Sequence, residues 1–360
     1  MKKILVCGYI GYGNFGDEAL LFVLINNLLQ VGYKNEDITV LSKEPEKTSL
    51  AYNVKSVNKW NIFQLLNAFL NHDHVIFIGG LFQDKTSFRS LCYYCLQLFL
   101  GGILQKKVVL YAVGIGPLQR GISNYIFNLA VNSANFISLR DQASLQYLSH
   151  KENVVITCDP AWTIEPDFLF KPLLPRINWQ LPILSVSMRY DKQLKNHHIT
   201  KLSDKISKIL MSMKDWQVLL IPCMPHDDLP ILYELYDQII RKSSQPDRVF
   251  LIDNFSDFTI SQQAGIIASC EVMVGMRYHA LLTPLLNGKP VFGLIYDQKV
   301  KSLLDLASQV GVGFKDDFEQ PWNYFWQNLQ YSSNMAKECA EKMKKIHRIN
   351  IQLLETLFSS

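Results

Sequence analysis

Residues 4–30, ILVCGYIGYGNFGDEALLFVLINNLLQ, decide the fold. Ile4–Cys7 is a short apolar run with β-branched residues and reads as a first strand. Gly8, Gly11, Gly13 and Gly16 follow, and then Ala19–Gln30 carries apolar residues at 20, 21, 24, 25 and 28, the spacing of an amphipathic helix. Strand, glycine-rich turn and helix in that order begin a parallel, doubly wound sheet. The glycines let the backbone pass close to a ligand, and the helix start offers free N–H groups to an anion or a hydroxyl. The spacing is not that of a dinucleotide-binding fingerprint, and no acidic residue closes the second strand as a ribose ligand would. Asp17 and Glu18 also suit a helix first turn electrostatically, so capping and ligand binding both stay open for this loop.

The same rhythm continues outward. Ile38–Leu41, Val75–Ile78, Val108–Val113, Phe136–Leu139 and Val154–Ile156 are further short strand-like runs separated by longer amphipathic segments. Phe170–Pro182 holds Pro172, Pro175 and Pro182 with little periodicity and reads as a linker. A second series follows at Ile183–Ser187, Val218–Ile221, Val249–Ile252, Val272–Val274 and Val291–Leu294, and Asn334–Leu357 is a long amphipathic helix with no strand after it. The expected organisation is α/β: two Rossmann-like doubly wound domains facing a central cleft. Their bounds are 1–170 and 183–330, joined by a linker at 171–182. A C-terminal helix, 331–360, is available to pack back across the junction. At 360 residues the chain suits two such domains.

Composition narrows the function classes. Hydrophobic residues are 48% and charged residues 19%, an ordinary globular balance that excludes a disordered or fibrous chain. A net charge of +4 without a long basic cluster gives no reason to expect nucleic acid, and it is compatible with an anionic small substrate or brief contact with an anionic membrane surface. The apolar run after Met1-Lys2-Lys3 is too short for a signal-peptide core, and Leu91–Ile103 is short of the ~20 residues of a membrane span and reads as a buried helix, with membrane contact as the lesser alternative. Seven scattered cysteines show no disulfide or zinc spacing, and Cys92 and Cys95 read as two core thiols on one helix. A cytoplasmic protein is expected, with a peripheral position at the inner face of the membrane left open.

Residues just after strands are the ones a cleft would use. Gly79-Gly80-Leu81-Phe82-Gln83-Asp84 is one such segment, with Gln83 and Asp84 available to sugar hydroxyls or, equally, a tight turn. In Ser138-Leu139-Arg140-Asp141, an ion pair and a helix cap are the simpler reading. Ser187-Met188-Arg189 ends the second domain's first strand on an arginine suited to a carboxylate or phosphate or, equally, to a salt bridge at the domain interface. Gly275-Met276-Arg277-Tyr278-His279 sets an arginine and a histidine on alternate residues before a helix, so both can face one ligand while Tyr278 packs away. Tyr296-Asp297-Gln298-Lys299-Val300 follows the next strand and is available to close the same pocket.

Together these segments resemble the polysaccharide pyruvyl transferase family, including the CsaB-type enzymes of bacterial cell-wall polymer synthesis. The matching pieces are GYIGYGNFGDEALL at 8–21, GGLFQDKTSFRS at 79–90, SLRDQAS at 138–144, CDPAW at 158–162, SMRY at 187–190, MRYHALLTPL at 276–285 and YDQKV at 296–300. They stand in the family's order over about residues 4–305. Departures are Ile78 where a third glycine is frequent, Gln298 for a frequent proline, and a loose match at Pro222–Asp227.

The resemblance implies a GT-B-like fold and transfer of the enolpyruvyl group of phosphoenolpyruvate to a sugar, as a pyruvate ketal. The implied acceptor is a sugar on a lipid-diphosphate carrier. Phosphoenolpyruvate carries close to three negative charges, so Arg189 and Arg277 are expected to bind the donor. His279 is the expected acid/base, since imidazole exchanges protons near neutral pH. Acceptor contacts fall to Gly13, Asn14, Asp84, Arg140 and Asp141, with Asp17 as base or hydroxyl-orienting group. No metal and no cofactor beyond the co-substrate is expected. The rival readings are a nucleotide-sugar glycosyltransferase of the same architecture and an inactive sugar-binding protein.

Overall fold

The computed structural model describes residues 2–149, 153–172, 174 and 176–358. Pro175 of the expected linker and residues 359–360 of the expected C-terminal helix lie outside them. The chain forms two compact units, one of Met1–Tyr12, Asp17–Pro160 and Lys344–Ser360, the other of Gly13–Gly16 and Ala161–Met343.

The first unit alternates β1 (Ile4–Ile10), α1 (Phe15–Gln30), β2 (Ile38–Ser42), α2 (Pro45–Tyr52), β3 (Lys55–Asn58), α3 (Ile62–Asn71), β4 (His74–Ile78), α4 (Phe88–Ile103), β5 (Lys107–Val113), α5 (Gly121–Val131), β6 (Phe136–Leu139) and β7 (Val154–Ile156). All seven strands are parallel, in the order β3-β2-β1-β4-β5-β6-β7. The central strands are covered on both faces, which is why β4 and β5 read, after their first residue, as unbroken apolar runs rather than alternating ones. Phe69, Phe77 and Phe127 fill the core between the sheet and α3–α5, each worth roughly 1.5–3 kcal/mol of burial.

The second unit runs β8 (Ile183–Ser187), α6 (Asn196–Ser212), β9 (Gln217–Leu220), α7 (Pro225–Lys242), β10 (Val249–Leu251), α8 (Ile260–Ala268), β11 (Val272–Gly275), α9 (Tyr278–Leu286), β12 (Val291–Ile295), α10 (Gln298–Leu306), β13 (Val310–Gly313), α11 (Glu319–Gln327) and α12 (Leu329–Phe358). Its six parallel strands lie in the order β10-β9-β8-β11-β12-β13.

Several boundaries differ from the sequence expectation. β3 and β13 are additional strands, and both are sheet edges. KSVN is partly solvated and VGVG alternates with glycine, so neither carries a buried-strand signature. β1 runs on to Ile10, and α1 begins at Phe15 rather than Ala19. Residues 161–170, expected in the first domain, belong to the second unit. Trp162 is fully buried, the Asp167 amide donates to Ser261 O at 2.8 Å, and a side chain at Gly265 of α8 would overlap the Asp167 carbonyl.

α12 is shared between the units. Its first half packs with the second unit, where Ser333 Oγ donates to Gly288 O. Its second half completes the first unit through buried polar groups. Asn350 Nδ2 donates to Cys158 O at 3.1 Å, and Asn27 Nδ2 donates to Tyr111 Oη at 3.0 Å and to His347 Nε2 at 3.1 Å. Burial lowers the His347 pKa to about 4, against the opposing charge of Asp159. On acidification the unfolded chain therefore takes up this proton first. The stability His347 contributes is intact above its ordinary pKa and is lost between about pH 6.5 and 4. Urea unfolding at pH 5 relative to pH 7 should show a loss of about 2 kcal/mol in the natural protein that is absent from His347→Gln. Equal losses in both proteins would contradict this account.

Candidate active site

In the second unit the strand order reverses between β8 and β11. β8 leads to β9 on one side and β11 leads to β12 on the other, so the loops after β8 and β11 diverge and open a crevice at the carboxyl edge. The register pairs Gly275 with Ser187, and Met276 N donates to Ser187 O at 2.9 Å. Arg189 and the 276–279 turn therefore leave the sheet side by side.

Arg277 is the N-cap residue of α9, with extended backbone. Its side chain is buried and forms a forked ion pair with Asp228 in the first turn of α7: Nε donates to both carboxylate oxygens at 3.1 Å, and Nη2 donates to Oδ1. Asp228 also accepts the Met224 amide at 2.9 Å. Burial raises the Asp228 carboxyl above its ordinary value, and Arg277, the Met224 amide and the charge of Arg189 counter it. Burial alone would lower the Arg277 guanidinium. The charge and hydrogen bonds of Asp228 outweigh that and hold it above its ordinary value, so it stays charged. Nε and Nη2 are occupied, which leaves Nη1 as the donor Arg277 can offer to an anion.

Arg189 is half-buried, with its guanidinium over the Tyr296 ring at 5.4 Å. Burial pushes the Tyr296 hydroxyl up to about 12, so it remains a neutral donor beside two arginines. His279, the second residue of α9, is half-buried with its ring edge-on to Tyr278 at 5.0 Å. Tyr278 thus packs against His279 rather than away from it. Gly13–Gly16 of the glycine-rich loop belong to this unit too. The Phe15 amide donates to Cys223 O at 2.8 Å, the Phe15 ring meets Phe255, and Asn14 Oδ1 accepts the Gly16 amide. A side chain at Gly16 would overlap His279 Nδ1, which is the physical reason for glycine there. Gly13 has φ +66°, a conformation glycine reaches without strain.

In the first unit the strand order reverses between β1 and β4, so the loops after those strands sit at its switch point. Asp17 Oδ1 would lie 3.1 Å from a Cβ on Gly79, itself at φ +91°. Glu18 ties the loop down, accepting the Gly11 amide at 2.8 Å and the Tyr52 hydroxyl at 2.7 Å. The sequence reading missed Lys59, which is buried beside them. Its Nζ donates to Gly8 O and Tyr94 Oη, both at 2.9 Å, and lies within 6 Å of the rings of Tyr9, Tyr12, Trp60, Tyr93 and Tyr94. Burial lowers its pKa to about 8, and the charges of Cys7 and Asp17 oppose that shift. Only the mixture of aromatics at 9, 12, 60, 93 and 94 with a lone lysine signals this cluster, and the sequence spreads it over four elements.

Three of the expected acceptor residues have partners within the protein. Both oxygens of Asp84 are occupied by backbone, accepting Gln119 N at 2.8 Å and Arg120 N at 3.0 Å. Although burial works the other way, those bonds hold its carboxyl below the ordinary range, so it clamps the 117–120 loop. Arg140 is buried and pairs with the buried Asp159 at 2.7 Å. Asp141 caps the following turn, accepting Ser144 N and Ser144 Oγ, both at 2.8 Å. Asp159 of CDPAW and Asp228 were not singled out from sequence, because an isolated acid gives no sign of the arginine that will bury it. Replacing Asp228 with Ala would leave Arg277 buried and unpaired, and urea unfolding should register a loss of about 3–5 kcal/mol. A change below about 1 kcal/mol would show that the pair contributes little.

Comparison with known proteins follows this geometry. Residues 14–298 match the family model described as polysaccharide pyruvyl transferase. The amylovoran biosynthesis protein AmsJ of Erwinia amylovora is 26% identical over 279 residues, covering 69% of this chain and 62% of AmsJ, so the match spans under two thirds of that relative. Among solved structures, a UDP-GlcNAc 2-epimerase from Neisseria meningitidis superposes with TM-score 0.65 at 13% identity, covering 100% of each chain. The glycosyltransferase SnogD from Streptomyces nogalater gives 0.57 at 12% identity, covering 98% of this chain and 99% of SnogD. These neighbours establish a GT-B-like fold. Because Gly16, Arg189, Arg277 and His279 all fall inside the matched span, the turn that opened on an arginine and a histidine is read with the rest of that span: the chain belongs to the polysaccharide pyruvyl transferase family.

Proposed function

We propose that this protein transfers the pyruvyl group of phosphoenolpyruvate to a sugar of a surface-polysaccharide precursor. The observation that supports this most is the convergence of Arg189, Arg277 and His279 after the adjacent strands β8 and β11. In this reading Arg189 and the free Nη1 of Arg277 hold the donor's carboxylate and phosphate, and the start of α9 adds its positive end. His279 delivers a proton to the methylene carbon while a sugar hydroxyl adds at C2. Phosphate then departs with the C2–O bond electrons, and a second hydroxyl of the same sugar closes the ketal. Two C–O bonds form, one C–OP bond breaks, and the two hydroxyl protons balance the new methyl hydrogen and the released hydrogen phosphate. None of these steps is routed through a metal.

Asp17 in this reading orients or deprotonates the acceptor hydroxyl. The aromatic rings around Lys59 give the sugar a face to stack on. Gly13 and Asn14 approach the acceptor through backbone and amide. The protein works in the cytoplasm on an acceptor carried by a lipid diphosphate.

Incubation with phosphoenolpyruvate and lipid-linked or synthetic acceptor sugars should release phosphate and give a product heavier by one pyruvyl ketal. UDP-sugars supplied instead should release no UDP. Nucleotide release without use of phosphoenolpyruvate would replace the reading with glycosyl transfer, a reaction the fold also accommodates. His279→Ala should lower kcat by 10²-fold or more with donor binding still measurable, since positioned acid/base groups supply about 10²–10⁴-fold. Arg189→Ala and Arg277→Ala should chiefly raise the donor dissociation constant. Full turnover in the first variant, or unchanged donor binding in both others, would overturn these assignments.

A further inference from the structure

The first unit presents an uncharged apolar face. By the right-handed rule for parallel crossovers, the connections β3→β4, β4→β5 and β5→β6 all run the same way along the sheet, which puts α3, α4 and α5 on one side of it. Their inner residues share one core, and a Cβ on Gly101 of α4 would lie 3.9 Å from the Phe69 ring of α3. Their outer faces are also apolar. On α3 the outward stripe is Ile62, Leu66 and Leu70 at i, i+4 and i+8, with Phe63 beside it at 81% exposure. α4 exposes Leu96 and Ile103 at 66% and 76%, and α5 exposes Tyr125 within a stripe of the same kind.

Of the twenty large hydrophobic side chains exposed among the described residues, ten lie between residues 60 and 129. α3 and α5 contain no charged residue at all, and α4 contains only Arg89. A surface helix of a free globular protein shows charge on this face, so this layer is built for something to cover it.

The surrounding charge identifies the cover. Residues 54–135 carry seven Lys and Arg against two Asp, a net +5, while the whole chain carries +4. Lys59 is buried, but Lys55, Lys85, Arg89 and Arg120 are exposed, and Lys106 and Lys107, between α4 and β5 and at the start of β5, are half-buried. Of the two acids, Asp84 is buried under backbone amides, so the exposed balance is still more basic. No helix among the described residues is long and apolar enough to cross a membrane.

We propose that the α3–α4–α5 face docks the protein onto an anionic lipid bilayer, with the apolar stripes entering the headgroup boundary and the flanking Lys and Arg meeting lipid phosphates. The hydrophobic and electrostatic contributions are each modest and act together. This inference does not depend on the reaction, because it is read from binding alone.

The test is sedimentation of the full chain, without substrates, with vesicles of phosphatidylcholine alone or of phosphatidylcholine mixed with phosphatidylglycerol. The expected result is at least tenfold more binding to the anionic vesicles at low salt, falling several-fold at 0.5 M salt as screening removes the basic contribution. Phe63→Asp with Leu96→Asp should cut binding at least tenfold. Both positions are exposed, so circular dichroism and unfolding midpoint should stay unchanged. Arg89→Glu with Lys106→Glu should remove the preference for anionic lipid. Light scattering should find no self-association that the Asp variants abolish. Absence of vesicle binding at low salt, binding indifferent to both variant pairs, or a dimer sealed by this face would each overturn the proposal.

Discussion

The second unit depends on one buried ion pair. Arg277 leaves the end of β11 and Asp228 begins α7, elements far apart in sequence, and their side chains meet where water has little access. Two charges taken out of water need each other, so the pair fixes how the start of α7 stands against the β11–α9 turn. Everything assigned to the donor side follows from that. The forked contact uses two of the three guanidinium nitrogens. The same turn sets His279 as the second residue of α9, against a glycine that has no room for a side chain. The proposed donor site is held by a buried structural ion pair.

Much of this was legible in the sequence because parallel sheets covered on both faces write themselves as unbroken apolar runs. The switch-point strands β1, β4 and β11 showed that pattern and β8, ILSVS, showed it with two small buried serines, so the loops after them could be singled out. β3 and β13 escaped because an edge strand is half solvated and needs no such run. The start of α1 escaped because Phe15 and Gly16 look like loop residues until the Cys223 carbonyl and the His279 ring are seen beside them.

The charged residues divide on a different principle. Arg189, Arg277 and His279 could be picked out because they stand directly after strand ends, where a side chain has few alternatives. Asp84, Arg140 and Asp141 stand in the same kind of place, yet backbone amides, a buried aspartate and a serine are bonded to them in turn. Sequence position gives opportunity but does not reveal what else competes for the group. Lys59 is the reverse case. Nothing around it in the sequence marks it, and its character comes from rings contributed by β1, the loop after it and α4.

The division of α12 between the two units has a consequence for how the chain is made. The first unit holds sockets for His347 and Asn350 in residues that leave the ribosome early, at Asn27, Tyr111 and Cys158. The filling residues come more than 180 positions after Pro160. At about 5–20 residues per second, translation keeps those buried polar groups waiting on the order of ten seconds or longer. Residues Ala161–Met343 of the second unit are synthesised during that wait, so the unit that begins first is the one completed last.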